Sequence, residues 1–214
     1  MEELTICTWR WGTKYPGHYL ERLRAGLARH LKQEYRFAVF GPAAADEHLT
    51  AVPGCFARLR MFDPEWQAEH GITGRLVCID LDTVVTGPLD PLFDRPEPFV
   101  ILHGGNASNP CPFNGSLQML RAGAHPEVWS EFSLKAAGEV PYFAFPDDQA
   151  WLAAKIPDAA GWTVGPESGA YCFQKPGWPK GEALPADARI VAFPGWRDPS
   201  KFTHIDWVKR NWAA

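Results

Sequence analysis

The stretch Gly74-Arg-Leu-Val-Cys-Ile-Asp-Leu-Asp-Thr-Val-Val-Thr-Gly87 decides how the rest of the chain is read. An apolar run, Leu76 to Ile79, ends in two carboxylates one residue apart, Asp80 and Asp82, and apolar residues resume at once. Short apolar runs bounded by turn signals form buried strands. A charge at the end of such a strand is costly unless it meets a partner. Residues i and i+2 of extended chain point to the same side, so both carboxylates are expected to face one ligand. An all-oxygen pair selects a hard divalent cation.

Upstream of the acids, Leu4 to Trp9 predicts a first strand, followed by a loop broken by Gly12, Pro16 and Gly17. Leu20, Leu23, Leu27 and Leu31 then recur at helical spacing up to about Lys32. Tyr35 to Phe40 reads as a second strand, stopped by Gly41-Pro42. Strand, helix, strand opens an α/β sheet with a parallel pairing. Residues 43 to 54 read as loop, and Phe56 to Phe62 as a short helix or a strand, broken by Asp63-Pro64.

Further strands are expected at Arg75–Ile79, Pro98–His103 and Phe113–Leu120, with a polar loop over Gly104–Pro112 as a candidate for ligand contact. Helices are expected over Pro126–Ala137 and from Asp147 to Ala154, the second with an acidic first turn that suits the helix dipole. Strand-like pieces follow at Trp162–Val164, Ala170–Phe173 and Arg189–Phe193, and Ile205–Trp212 closes the chain as a helix. The sequence contains no internal repeat. One α/β domain over residues 1–214 is expected, its C-terminal third an irregular cap.

Composition narrows the function classes. Apolar residues make up 46% and charged residues 21%, an ordinary globular balance. The formal net charge of −4 argues against nucleic acid as a partner. No apolar run approaches the ~20 residues of a membrane span, and the opening Met-Glu-Glu-Leu-Thr-Ile lacks the pattern of a secretion signal. Cys7, Cys55, Cys78, Cys111 and Cys172 form no paired spacing, which predicts reduced thiols, no zinc site and a cytoplasmic protein. Of ten tryptophans, Trp9, Trp11, Trp178 and Trp196 fall in loop-like segments, where an indole can stack on a sugar or a base.

The segment Asp80-Leu-Asp-Thr-Val-Val-Thr-Gly-Pro-Leu-Asp-Pro-Leu-Phe93 resembles the Asp-x-Asp region of glycosyltransferases with the GT-A fold. It is most similar to family 8, the glycogenin and lipooligosaccharide galactosyltransferase type. Thr8-Trp9, Ala57-Arg58-Leu59-Arg60, Phe113-Asn114-Gly115-Ser116 and Asp148-Gln149 agree with that family in order. The resemblance implies a three-layer α/β/α domain with a mixed central sheet. It also implies transfer of a hexose from a UDP-sugar to a glycan or lipid-linked acceptor, with retention. In that reading Asp80 and Asp82 hold Mn2+ or Mg2+, and Thr8 and Trp9 hold the uridine. Arg58 neutralises phosphate charge, Asn114 reaches the donor sugar, and Asp148 and Gln149 act beside the reacting carbon.

One departure stands out. The family closes its site with His-x-x-Gly-x-x-Lys-Pro, and the matching residues here are Ala192, Gly195, Asp198 and Pro199. The metal-binding His and the phosphate-binding Lys are both replaced. Arg197 and Lys201 are candidates for the lost cation, Arg197 joining Gly195 in donor binding, and His204 is a candidate for the lost ligand. Two other readings stay open. Asp80 fits the nucleophile of a haloacid-dehalogenase-type phosphatase, with Asp82 as acid/base and Asp147-Asp148 as a magnesium pair. A non-catalytic carbohydrate- or nucleotide-binding protein fits the tryptophans and the two replaced residues.

Overall fold

A computed structural model describes residues 2–10, 14–41, 54–105, 110–141 and 147–214. Trp11, Gly12, Pro42, most of the expected loop at 43–54, and residues 106–109 of the Gly104–Pro112 loop lie outside these.

Among the described residues nine strands form two sheets: β1 (Leu4–Trp9), β2 (Arg36–Phe40), β3 (Arg75–Ile79), β4 (Thr83–Val85), β5 (Phe99–His103), β6 (Phe113–Arg121), β7 (Ala160–Thr163), β8 (Ala170–Cys172) and β9 (Ile190–Ala192). The large sheet has the order β2-β1-β3-β6-β5-β7 and the small one β4-β9-β8. β1 pairs in parallel with both β2 and β3, as the strand–helix–strand opening predicts. β6 runs antiparallel between β3 and β5, which makes the sheet mixed.

Period-2 alternation explains the layers. Leu4, Ile6, Val77, Ile79, Val100, Leu102, Leu117 and Met119 face one core. Cys7, Trp9, Leu76, Cys78, Phe99, Ile101, Phe113 and Leu120 face another. Strands buried on both faces read as continuous apolar runs, and β3 is such a run. The first core is closed by the helix His18–His30, through Tyr19, Leu23 and Leu27, and by Trp207 and Val208 of the C-terminal helix Asp206–Asn211. Residues of the small sheet (Val84, Val85, Tyr171, Val191) sit in that same core. The second core is closed by the 3-10 helix Gly54–Phe62, the helix Pro64–Glu69 and the helix Asp148–Lys155.

Several elements differ from the sequence expectation, each for a local reason. Asp63-Pro64 ends the 3-10 helix Gly54–Phe62, as expected, and also starts a helix that was not expected: the Asp63 carboxylate accepts from Glu65 N–H at 3.1 Å and Pro64 occupies the first helical turn. The single helix expected over Pro126–Ala137 is two, Glu127–Ser130 and Leu134–Gly138. Ser133 is extended and its hydroxyl caps Ala136 N–H at 3.1 Å, so capping at Ser133 prevails over the apolar periodicity. The C-terminal third supplies β8 and β9, which join β4 (Thr83–Val85) in the small sheet, so it is more regular than an irregular cap.

Candidate active site

The acids sit where the chain leaves one sheet for the other. β3 ends at Ile79, Leu81 and Asp82 form a turn, and β4 begins at Thr83 in the small sheet. The expected strand alternation therefore does not apply to Asp80 and Asp82; a turn aims them instead. That turn is tied from both sides, by Asp80 N–H to Ser116 C=O at 3.0 Å and by Phe193 N–H to Asp82 C=O at 3.1 Å. Asp80, Asp82, Trp9, Asn114, Gln149 and Gly195 line one cleft of about 380 Å³ at the carboxyl ends of β1 and β3, beside the start of β6. Ligands of open α/β sheets bind outside the carboxyl ends of the strands.

A bulge in β6 presents the next residues. The register with β5 jumps between Ile101, opposite Gln118, and Leu102, opposite Asn114, so Gly115 and Ser116 leave that ladder. Asn114 is buried, and its side-chain oxygen accepts from Ser116 N–H at 3.0 Å. Gly115 N–H donates to the Gln149 side-chain oxygen at 3.0 Å. A Cβ on Gly115 would collide with the Arg58 guanidinium, so any larger residue there must displace that side chain from its aspartates.

Arg58 organises the acids. It pairs with both oxygens of Asp148, donates from Nη1 to Asp80 Oδ1 at 2.7 Å, and donates to Gly115 C=O at 3.0 Å. Its side chain is 8% exposed, that of Asp148 2% and that of Asp80 32%. Burial disfavours the Arg58 charge, but Asp148 and Asp80 outweigh it and hold the guanidinium well above its ordinary pKa. Among the described residues Asp82 makes no ion pair of this kind, although Lys14 acts on it at longer range; its Oδ2 accepts from Tyr15 O–H at 2.6 Å. Burial first, and Asp80 second, push the Asp82 carboxyl up to about 7 from an ordinary 3.8. Asp147 caps the helix Asp148–Lys155 through Ala150 N–H at 2.8 Å, and burial followed by Asp148 pushes it up to about 6.

The remaining expected residues scatter. Thr8 is fully buried in β1 and does not line the cleft, and its hydroxyl has no hydrogen-bond partner among the described residues. Asp148 lies behind the cleft wall, enclosed by Arg58. Arg197 also stays out of the cleft, donating to Gln174 C=O at 3.1 Å. Lys201 donates to Trp196 C=O at 2.9 Å, and exposed His204 stands off the cleft beside Phe202. Ala192 is buried in β9 opposite Thr83. Asp198 caps the 3-10 turn Pro199–Phe202 through Ser200 N–H at 2.8 Å and accepts from Tyr19 O–H at 2.6 Å. Trp178 packs on Tyr171, Phe173 and Trp207, whereas Trp196 is 65% exposed next to Gly195. Sequence reasoning missed Tyr15, Lys14 and Lys175, which also line the cleft.

No family model matches the sequence, and no curated protein matches it either. Solved structures do. A glycosyltransferase involved in glycosylating the major capsid of PBCV-1 superimposes with a TM-score of 0.62 at 18% identity, over 94% of this chain and 98% of that one. The galactosyltransferase LgtC, solved with donor and acceptor sugar analogs, gives 0.61 at 13% identity, over 98% and 97%. The apo form of the glycosyltransferase GlyE of Streptococcus pneumoniae TIGR4 gives 0.63 at 15% identity; this chain is covered over 99% and spans 63% of GlyE. The architecture, two cores about a six-stranded mixed sheet, is that of the GT-A glycosyltransferase fold.

Proposed function

We propose that the protein is a glycosyltransferase that moves a hexose from a UDP-sugar to a glycan or lipid-linked acceptor, using a divalent cation and retaining configuration. The observation that carries this reading is the convergence of Asp80, Asp82, Asn114 and Gln149 on one cleft at the strand ends of a GT-A sheet. Against the phosphatase reading, Oδ1 of Asp80, its expected nucleophile, is held by Arg58.

The donor set suits Mn2+ or Mg2+. Asp80 and Asp82 offer hard oxygens, and Asp80 adds its repulsion to the burial that raises Asp82, a repulsion that a cation would relieve. Among the described residues no group of three or more His, Cys, Asp or Glu converges on a metal position. The other ligands would be diphosphate oxygens and water, the usual pattern for Mg2+. When bound, the ion supplies positive charge against the leaving diphosphate.

The chain's own residues do the rest. Arg58 does not reach for phosphate with a free charge; it fixes Asp80 and braces Gly115. Asp148 orients Arg58 and so positions the site without touching substrate. Gln149 is anchored through its oxygen and its –NH2 also bonds Asp147, which leaves one N–H to donate to the sugar. Asn114 supports the Ser116 turn and carries the donor sugar. In retention, the acceptor oxygen bonds to the anomeric carbon on the face the diphosphate leaves, and its proton passes to the departing phosphate oxygen. No side-chain base is required.

The test is calorimetry with UDP, with and without Mn2+ or Mg2+, alongside hydrolysis of UDP-galactose and UDP-glucose. Cation-dependent UDP binding and slow hydrolysis of one UDP-sugar are expected. Cation-independent heats together with turnover of generic phosphate esters would defeat the transferase reading in favour of a phosphatase.

A further inference from the structure

A GT-A donor carries a diphosphate, and the sequence position where family 8 places its phosphate-binding lysine is Asp198, an acid already committed to Ser200 N–H and Tyr19 O–H. The cations nearest in sequence do not replace it. Arg197 spends a guanidinium N–H on Gln174 C=O, Lys201 spends its ammonium on Trp196 C=O, and neither lines the cleft. Arg58 lines the cleft but is neutralised by Asp148 and Asp80. Two further cations line the cleft among the described residues, Lys14 and Lys175.

Lys175 is delivered by an unusual turn. After β8 the chain reverses over Cys172–Lys175, closed by Lys175 N–H to Cys172 C=O at 3.1 Å. Gln174, at φ 52°, lies in the left-handed region that a residue with a Cβ normally avoids. Strained backbone of this kind persists where surrounding structure holds it, and it clusters at ligand sites. The hold here is Arg197, whose guanidinium bonds the Gln174 carbonyl. Lys14 enters from the segment before the helix His18–His30. Its ammonium lies 4.6 Å from the centre of the Tyr15 ring, and the Tyr15 hydroxyl bonds Asp82.

We propose that Lys175, assisted by Lys14, binds the donor's diphosphate in place of the lysine replaced by Asp198, and that Arg197 is a positioning residue that holds the Lys175 turn. The inference rests on the nucleotide-sugar reading above. An ammonium on a flexible stem is a compact point charge suited to phosphate oxygens. It also explains how the cleft accepts a diphosphate although its arginine is spent on aspartates.

The experiment is calorimetry in Mg2+ with three probes: UDP, uridine and inorganic pyrophosphate. The proteins are wild type, Lys175→Gln, Lys14→Gln, Lys175→Arg and Lys201→Gln. Lys175→Gln should weaken UDP and pyrophosphate about ten- to a hundredfold, the range of a lost charge-assisted hydrogen bond. Uridine affinity should stay within about twofold, well under the tenfold step of 1.4 kcal/mol. Lys14→Gln should act in the same direction with a smaller factor. Lys175→Arg should restore most of the UDP affinity, and Lys201→Gln should match wild type. UDP binding by Lys175→Gln at wild-type strength, or equal losses for UDP and uridine, would overturn the proposal while leaving the transferase reading standing. Wild type that binds neither UDP nor pyrophosphate would end both.

Discussion

Replacing Arg58 with Met removes one charge that serves two carboxylates. Asp148 is the partner that matters for stability, because at 2% side-chain exposure it cannot be rescued by water. Removing one member of a buried pair costs about 3–5 kcal/mol, since the other charge is left uncompensated. Asp80, 32% exposed, adds little, because solvent screens it. The loss is a large share of the ~5–15 kcal/mol that holds a domain together. At about 2–4 °C per kcal/mol for a chain of this size, the melting temperature should fall by about 6–20 °C. Urea unfolding followed by tryptophan fluorescence gives the free energy directly. Arg58→Met combined with Asp148→Asn closes a double-mutant cycle. The double variant should be more stable than the sum of the singles by about 2 kcal/mol, toward the top of the range for residues in contact. A single-variant loss below about 1 kcal/mol, with coupling under about 0.5 kcal/mol, would refute the view that this ion pair builds the cleft wall.

Other outcomes follow from the same geometry. Asp82→Asn should remove cation-dependent UDP binding while leaving the urea midpoint unchanged or higher, because it deletes a carboxylate that burial already penalises; unchanged calorimetric affinity would contradict the assignment. Gly115→Ala should cost about 1–3 kcal/mol through the clash with Arg58, read by thermal unfolding, and should weaken UDP binding in parallel. Burial holds His103 below its ordinary pKa of 6.5, so unfolding takes up a proton just below that pH and stability falls as pH drops through 6.5. His103→Phe should therefore remove part of the rise of the urea midpoint with pH between ~5 and ~7, against a background set by His30, which burial shifts the same way, and by Asp82 and Asp147, whose raised carboxyls act in the opposite sense. Arg197→Met should weaken UDP binding less than Lys175→Gln does, and a variant that binds as wild type would remove Arg197 from the Lys175 turn.

Legibility in the sequence tracked how local each cause is. β1 and β3 carry their bounds in contiguous apolar runs, and both match the expectation from Leu4 to Trp9 and from Arg75 to Ile79. The acid pair was visible as two charges closing such a run, although the turn that aims it was not, because β4 has only three residues and pairs with β9 over a hundred positions later. The helix Pro64–Glu69 is not among the expected elements, because Asp63-Pro64 reads there only as a break and not as a cap with Pro behind it. Ser133 falls within one expected helix, whose apolar periodicity hides its cap. The Arg58–Asp148 pair was not readable, since 90 residues separate its members and nothing local marks either as a partner. Lys175 gave no signal in the chain, because its approach to the cleft depends on a left-handed Gln174 and on an arginine 23 positions away.

Because Asp80 and Asp82 ride on the link between the two sheets, their spacing is a joint property of both. Asp80 is fastened to the β6 bulge of the large sheet, and Asp82 to Phe193 beside the small one. A substitution that slides β9 against β3 would alter the bite offered to the proposed cation without changing either acid. On that reading the small sheet is a tuning element for ion preference, adjusted by packing at sites such as Val84, Val191 and Tyr171 while the acids themselves stay fixed in sequence.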